Sequence, residues 1–384
     1  MKVCFLSSLH PPMDKRVFDK EARSLVVGGY RVIHLAPGDG SVKEVDGVQI
    51  VTYQGLKGIF GRLAQFVRLY RLAGNLDADV YHCNEVDSWM VGVALRIFKG
   101  KYCVFDVHEH YPEDFAENYS AKWVQPIVRT MIAVLINVLS RMASGVVLAK
   151  SSLEKDFSHL PKDRVHLVEN FVSLAALKSA AREEVREPPL KLIHLGLIGR
   201  LRGWPQLLEA LAMARCQSAQ LLILGATNDG SEQEFRAEID RLGLSSRVRY
   251  ESWLPYEEAM AQVRLSDAGL IMFQPGLFNH VHALPHKMFD YMAGELAVIA
   301  PEFAVEVAAI VRDAQCGLLI DPSKPDSIAK AIDHLCDNPN QLQSLGRSGR
   351  AAVLSRYNWE AEAEKLLAMY KDFEQRLIAE KCAV

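Results

Sequence analysis

Residues 278–300 read FNHVHALPHKMFDYMAGELAVIA and gather His280, His282, His286, Lys287 and Asp290 around Pro285 before turning into an apolar helix. Residues of these types at a helix start could hold an anion. Proline suits the first turn because its missing N–H is not needed there, so the amides around His282, Ala283 and Leu284 would face outward, with Lys287 adding positive charge one turn in. Asp290 could accept ribose hydroxyls while the helix start holds phosphates, a division of labour suited to a nucleoside diphosphate. The plain alternative makes Asp290 a solvated helix acid and the histidines polar loop groups. A second candidate set follows the apolar run LIHLG: the segment LIGRLRG carries Arg200 and Arg202 where a strand passes through a glycine-bearing loop into a helix. That arrangement suits an anion, or else the arginines make ordinary surface contacts. His108 closes the run YCVFDV. It is either a histidine satisfied at a strand end or a hydrogen-bond donor at a ligand site.

These groups need elements to position them. Short apolar runs (VCFLSS, RVIHLAP, VQIVTY, DVYHC, YCVFDVH, GVVLAK) alternate with stretches of helical periodicity through the front half, and the back half repeats the scheme from LKLIHLG through AQLLILG, DAGLIMF and LAVIA to CGLLI. Such alternation predicts parallel sheets covered on both faces. At 384 residues the chain exceeds what one core usually supports,. We therefore expect two doubly wound α/β domains in tandem with a cleft between them: residues 1–180, a linker at 181–190, a second domain at 191–357, and a closing helix at 358–384. In open parallel sheets ligands bind beyond the carboxyl ends of the strands, which is where all the candidate loops fall.

Composition narrows the function classes. With 49% hydrophobic and 24% charged residues the chain is an ordinary globular protein,. Its net charge of -3 gives no whole-molecule argument for nucleic acid. Residues 1–180 hold 22 Lys and Arg against 19 Asp and Glu, so the front half is slightly basic and the back half acidic,. The seven cysteines stand singly, without metal-ligand or redox spacing, and read as reduced core residues of a cytoplasmic protein,. MKVCFLSSLHPP has too short an apolar run for a signal peptide,. Residues 56–76 place Lys57, Arg62, Arg68 and Arg71 among apolar residues, which is either a membrane-surface helix or a crossover helix with a basic face,. Residues 122–144 are more apolar but too short and interrupted to span a bilayer,.

Taken in order, HPPMDKRVFDKEARSLVVGGYRV, DVYHCNE, FDVHEHYPEDF, ALPHKMFDYMAGELAVIA and YNWEAEAEKLLAMY resemble the GT4 family of retaining, nucleotide-sugar-dependent glycosyltransferases with the GT-B fold. The resemblance implies a sugar moved from a nucleotide-diphosphate sugar, UDP ahead of GDP, to a hydroxyl acceptor such as a lipid-linked or cell-surface glycan. No cofactor or metal is expected, and peripheral contact with the inner face of an anionic membrane is allowed. Two glutamates eight residues apart in much of the family fall here on His282 and Asp290, so the ribose role passes to Asp290 and the first acidic role is lost. The diphosphate-contacting pairs fall on Gly196-Leu197 and Arg202-Gly203; Arg202 replaces the lysine, and Arg200 is the substitute for the missing arginine. The resemblance makes His108, Arg202 and Lys287 catalytic, puts the base near Trp253 and Leu254, and leaves His10, Asp14 and Arg16 on the acceptor side, where the family's glycine pair is absent. Two rivals stay open: a nucleotide-sugar epimerase on the same fold and a non-catalytic partner subunit. A dehydrogenase is disfavoured, since no G-x-G-x-x-G follows the first run,.

Overall fold

Runs such as Tyr102–Val107 and Gly145–Leu148 are buried at every residue, which a strand achieves only when helices cover both sheet faces,. In the computed structural model, which describes residues 1–55, 59–177 and 188–382, the chain forms two units: Met1–Asn170 with Trp359–Val384, and Phe171–Asn358. The first holds β1 (Lys2–Leu6), β2 (Arg31–Pro37), β3 (Val42–Val45), β4 (Val48–Tyr53), β5 (Val80–Cys83), β6 (Tyr102–Val107), β7 (Gly145–Leu148) and β8 (Val165–Leu167). They form one sheet in the order β3-β4-β2-β1-β5-β6-β7-β8. Among the described residues only the β3/β4 pair is antiparallel. The second unit holds β9 (Lys191–Leu195), β10 (Gln220–Leu224), β11 (Val248–Glu251), β12 (Ala268–Leu270), β13 (Ala297–Pro301) and β14 (Gly317–Ile320). Its sheet is parallel, in the order β11-β10-β9-β12-β13-β14. Strand order therefore reverses beside β1 in one sheet and beside β9 in the other. The loops after these strands are where an α/β sheet receives a ligand.

The unit boundaries differ from the expected ones for a packing reason. Phe171 rests against Phe289 and Tyr357, so the second unit begins there and not near residue 190. At the other end of the expected linker Leu190 is already core; residues 181–187 lie outside the described residues. Helix Trp359–Cys382 belongs to the first unit, burying Leu366, Met369, Tyr370 and Phe373 against residues that include Phe5, Val80 and Val104. Cys216 and Cys336, 120 residues apart, are joined in a disulfide. This corrects the reading of all seven cysteines as single core residues. The side-by-side packing of helices Trp204–Met213 and Pro325–Asp337 brings the pair together, and no spacing in the sequence shows it.

A buried ionic cluster ties the first unit together. Arg16 donates from Nη2 to Asp106 Oδ1 at 2.9 Å and from Nε to Asp106 Oδ2 at 3.2 Å. Its guanidinium also lies 3.0 Å from Glu21 and donates to the Val168 carbonyl. Burial alone would protonate Asp106, but Arg16 and then His108 hold its carboxyl well below the usual range. For Glu21 burial wins and raises the carboxyl well above it. Arg16 thus links the chain after β1 to β6, and its burial removes it from the acceptor-side candidates. Replacing Arg16 with methionine strands Asp106 in the interior and is expected to cost about 3–5 kcal/mol of stability, read by chemical denaturation.

Candidate active site

In the second unit the loop after β9 is shaped by close backbone approaches. Gly196 has φ +94°, and a Cβ on Gly203, at φ +77°, would meet the Met272 carbonyl at 2.5 Å. Without that Cβ the Arg200–Arg202 turn can lie on the chain after β12, where the Gln274 amide donates to the Leu201 carbonyl at 3.0 Å. The approach places the Arg202 guanidinium 5.7 Å from the Phe273 ring centre. Lys287 Nζ lies 5.8 Å from the same ring. Lys287 also donates to the Leu195 carbonyl at 3.0 Å and stands 3.3 Å from His194 Nε2. Among the described residues no carboxylate pairs with either cation. Burial first, and then Arg202, push the Lys287 ammonium down to about 7; burial lowers Arg202 as well. Arg200 is turned elsewhere, its guanidinium paired with Glu234 and 4.0 Å from Asp229.

The histidine-rich stretch forms a turn of helix at Phe278–Val281, then helix His286–Ala293 with Pro285 as its N-cap rather than inside the first turn. The His282 amide is spent on the Phe278 carbonyl at 3.2 Å. The amides of Ala283 and Leu284 have no acceptor among the described residues. Asp290 is buried and not a solvated helix acid: it accepts from the Tyr256 hydroxyl at 2.7 Å and lies 3.0 Å from His286 Nδ1. Trp253, 59% exposed, comes within 3.9 Å of a Cβ built on Gly196, while Leu254 packs on the core. The stretch after β11 therefore brings Tyr256 to Asp290 and Trp253 beside Gly196, while the expected Leu254 goes to the core. Tyr256 and His194 escaped the sequence reading, which had His286 only as one of the polar groups at the helix start. For His194 the signal was a lone histidine inside an apolar strand run.

The first unit arranges its loop after β1 around a carboxylate. Glu85, the N-cap of helix Val86–Lys99, accepts the amides of Ser8, Leu9 and His10 at 2.8, 3.0 and 2.8 Å and lies 2.6 Å from His10 Nδ1. Burial would raise this carboxyl, but His10 and the amides hold it at about 2, and Glu85 in turn overcomes burial to raise the His10 imidazole. Amides that could have faced an outside anion are thereby occupied. The His10 ring meets His108 edge to face at 5.1 Å, and His108 Nε2 lies 2.5 Å from Asp106 Oδ2. Asp14 is set apart, its Oδ1 accepting the amides of Arg16 and Val17 to start the helix that follows. Of the acceptor-side candidates His10 meets the His108 ring directly, and Arg16 reaches it through the shared Asp106 carboxylate. Glu21, His82 and Asp106 cluster closely enough to suggest metal ligands, but the Arg16 guanidinium already sits on both carboxylates.

Residues 15–176 match the family model described as Glycosyltransferase Family 4, and residues 178–352 match Glycosyl transferases group 1. The chain belongs to the GT4-type glycosyltransferases. It is 26% identical over 321 residues to an MMP alpha-(1->4)-mannosyltransferase of Mycolicibacterium hassiacum, covering 79% of this chain and 72% of that protein. It is 30% identical over 200 residues to a D-inositol 3-phosphate glycosyltransferase of Segniliparus rotundus, covering half of this chain and 43% of that one. Anabaena HepE, solved in complex with UDP, superposes over 97% of this chain and 100% of its own with a TM-score of 0.74 at 15% identity. A sucrose-phosphate synthase from Thermosynechococcus elongatus gives 0.74 at 18% identity, over 98% and 99% of the two chains. These likenesses establish the GT-B fold for this glycosyltransferase.

The lowered Lys287 value has a stability consequence. Between about 7 and its ordinary 10.5, the unfolded chain holds a proton on Lys287 that the folded chain has released, so stability rises with pH across that window,. The full penalty is present below pH 7. A Lys287→Met variant is expected to lose this slope and to melt above the wild type at pH 6–7 in buffers free of polyvalent anions, as calorimetry over pH 6–10 would read.

Proposed function

We propose that this glycosyltransferase transfers a sugar, with retention and without a metal, from a UDP-sugar to a hydroxyl of a lipid-linked or cell-surface glycan. The observation that carries the donor reading is the Arg202–Lys287 pair, two cations over one ring with no carboxylate between them. A departing diphosphate gains charge as the glycosidic bond breaks, and fixed cations are worth most to a charge that develops in the transition state. Arg202, Lys287 and the amides of Ala283 and Leu284 would hold that diphosphate, with Gly196 leaving room along the loop. Arg200 helps only if it leaves Glu234. Asp290, steadied by Tyr256 and His286, keeps acceptor capacity for a ribose hydroxyl, and Trp253 offers a face to the base. Metal independence rests on these cations doing a divalent ion's work. The UDP complex of HepE supports a uridine nucleotide.

His108 is the first unit's proposed contribution to the reacting sugar. Its Nε2 is committed to Asp106, which fixes the tautomer and leaves Nδ1 for a sugar hydroxyl,. An epimerase would consume donor without acceptor, and a partner subunit would turn over nothing, so product analysis with and without acceptor separates the three readings. Arg202→Ala is expected to reduce turnover on the order of a hundredfold, the usual effect of losing one contact to developing charge. Unchanged turnover would remove the residue from the site.

The acceptor's setting is read from a different helix than residues 56–76. Helix Ile59–Leu76 turns Leu69 and Ala73 into the core and exposes Arg68 and Arg71, as a crossover helix does; Lys57 and the Arg62 side chain lie outside the described residues. On helix Gln125–Met142, by contrast, Ile127, Met131, Val134 and Val138 form an exposed stripe, continued by Trp123. That helix has no acidic residue, and Lys122, Arg129 and Arg141 accompany the stripe. Among the described residues no helix is long and apolar enough to cross a membrane. An apolar stripe with basic company fits the surface of an anionic bilayer, each basic group adding about 1 kcal/mol. Met131→Asn with Val134→Asn should abolish co-sedimentation with phosphatidylglycerol vesicles and spare activity on a soluble acceptor. A wild type that does not sediment refutes the membrane assignment alone.

A further inference from the structure

His194 sits in β9 amid the apolar run LKLIHLG, wholly buried. Its Nδ1 has no partner among the described residues, an expense in an interior where leucine or phenylalanine would incur none,. Burial, then Lys287 and Arg202, keep the imidazole well below its ordinary value, so it is neutral. What the ring supplies is Nε2, which lies 3.3 Å from Lys287 Nζ and 3.2 Å from the Leu197 carbonyl.

An ammonium has three N–H donors. Leu195 takes one at 3.0 Å, and a lone pair on His194 Nε2 can take a second, leaving the third for an outside anion. We propose that His194 is a positioning residue: its neutral imidazole orients the Lys287 ammonium toward the diphosphate, and ligand binding selects the Nδ1–H tautomer that frees Nε2 to accept. This rests on the donor reading above. Without an anion the alternative use of Nε2, as an N–H donor to Leu197 at 3.2 Å, competes, because Lys287 is then only partly in the ammonium form that calls for a lone pair. A diphosphate favours the ammonium and so shifts the ring. The charged group acting on both Lys287 and His194 is Arg202 on the turn; on the lysine's own helix His286 and Asp290 bond each other, and the Tyr291 hydroxyl accepts the Leu195 amide at 2.8 Å. His194 acts only through Lys287.

A double-mutant cycle on UDP affinity at pH 7 tests this, with His194→Phe keeping a ring but no acceptor, and His194→Gln restoring one. His194→Phe should weaken UDP binding roughly tenfold, equivalent to about 1.4 kcal/mol, and His194→Gln should recover most of it. On a Lys287→Met background the His194→Phe change should add nothing, and uridine affinity should be unaffected throughout. Additive losses, or equal losses for uridine and UDP, overturn the proposal. If Lys287→Met itself leaves UDP binding intact, it is the donor site that fails. Should the histidine variants not fold, imidazole nitrogen NMR of the wild type decides: Nδ1–H in the UDP complex supports the assignment, and Nε2–H retained in that complex overturns it.

Discussion

Arg202 and Lys287 lie 5.7 and 5.8 Å from the ring centre of Phe273, two cations gathered at a single ring. The turn that carries Arg202 is fastened to the Phe273 segment through Gln274 and Leu201, while Lys287 is tethered to Leu195. Each cation gains something from the ring face, typically 0.5–2 kcal/mol. That does not cancel desolvation plus mutual repulsion, and the balance shows in the lowered lysine. Such strain persists only where the surrounding fold over-determines it. Here the fold does so with two parallel strands, β9 and β12, whose ends must stay adjacent. Gly203, whose Cβ would meet the Met272 carbonyl, follows from that requirement.

The first unit meets the opposite electrostatic problem with pairing. Two of its buried carboxylates are matched, Asp106 with Arg16 and His108, and Glu85 with His10 and three amides, while Glu21 beside Arg16 is held by burial well above the usual range. Breaking one such pair costs more than the pair ever contributed, because the remaining charge is stranded. The ionised residues there are consequently positioners. Arg16 and Asp14 shape the chain after β1, and the imidazoles of His10 and His108, which are partly buried, combine exposure with a fixed orientation. One unit thus holds unmatched positive charge and the other holds neutralised pairs, which is the distribution expected if the anionic substrate belongs to the second unit.

What could be read without coordinates was whatever is encoded in local period and residue type. Uninterrupted apolar runs of four to six residues, spaced by helical stretches, determined two parallel α/β sheets, because a strand buried on both faces has no polar alternate positions. The same reading picked out the candidate loops, since topology puts them at strand ends, and the ordered motifs pointed to the glycosyltransferase family. Arg202 and Lys287 were legible as candidates for the same reason. What only the tertiary structure decided was pairing. Arg16 and Arg202 are both arginines in loops after strands, yet one is consumed by Asp106 and Glu21, 90 residues away in the first case, while the other pairs with no acid among the described residues. Arg200 is lost to Glu234, Cys216 meets Cys336, and His194 becomes the neighbour of Lys287 across 93 residues. Charge, reach and burial depend on which side chain lies opposite, and a distance between remote residues has no counterpart in sequence spacing.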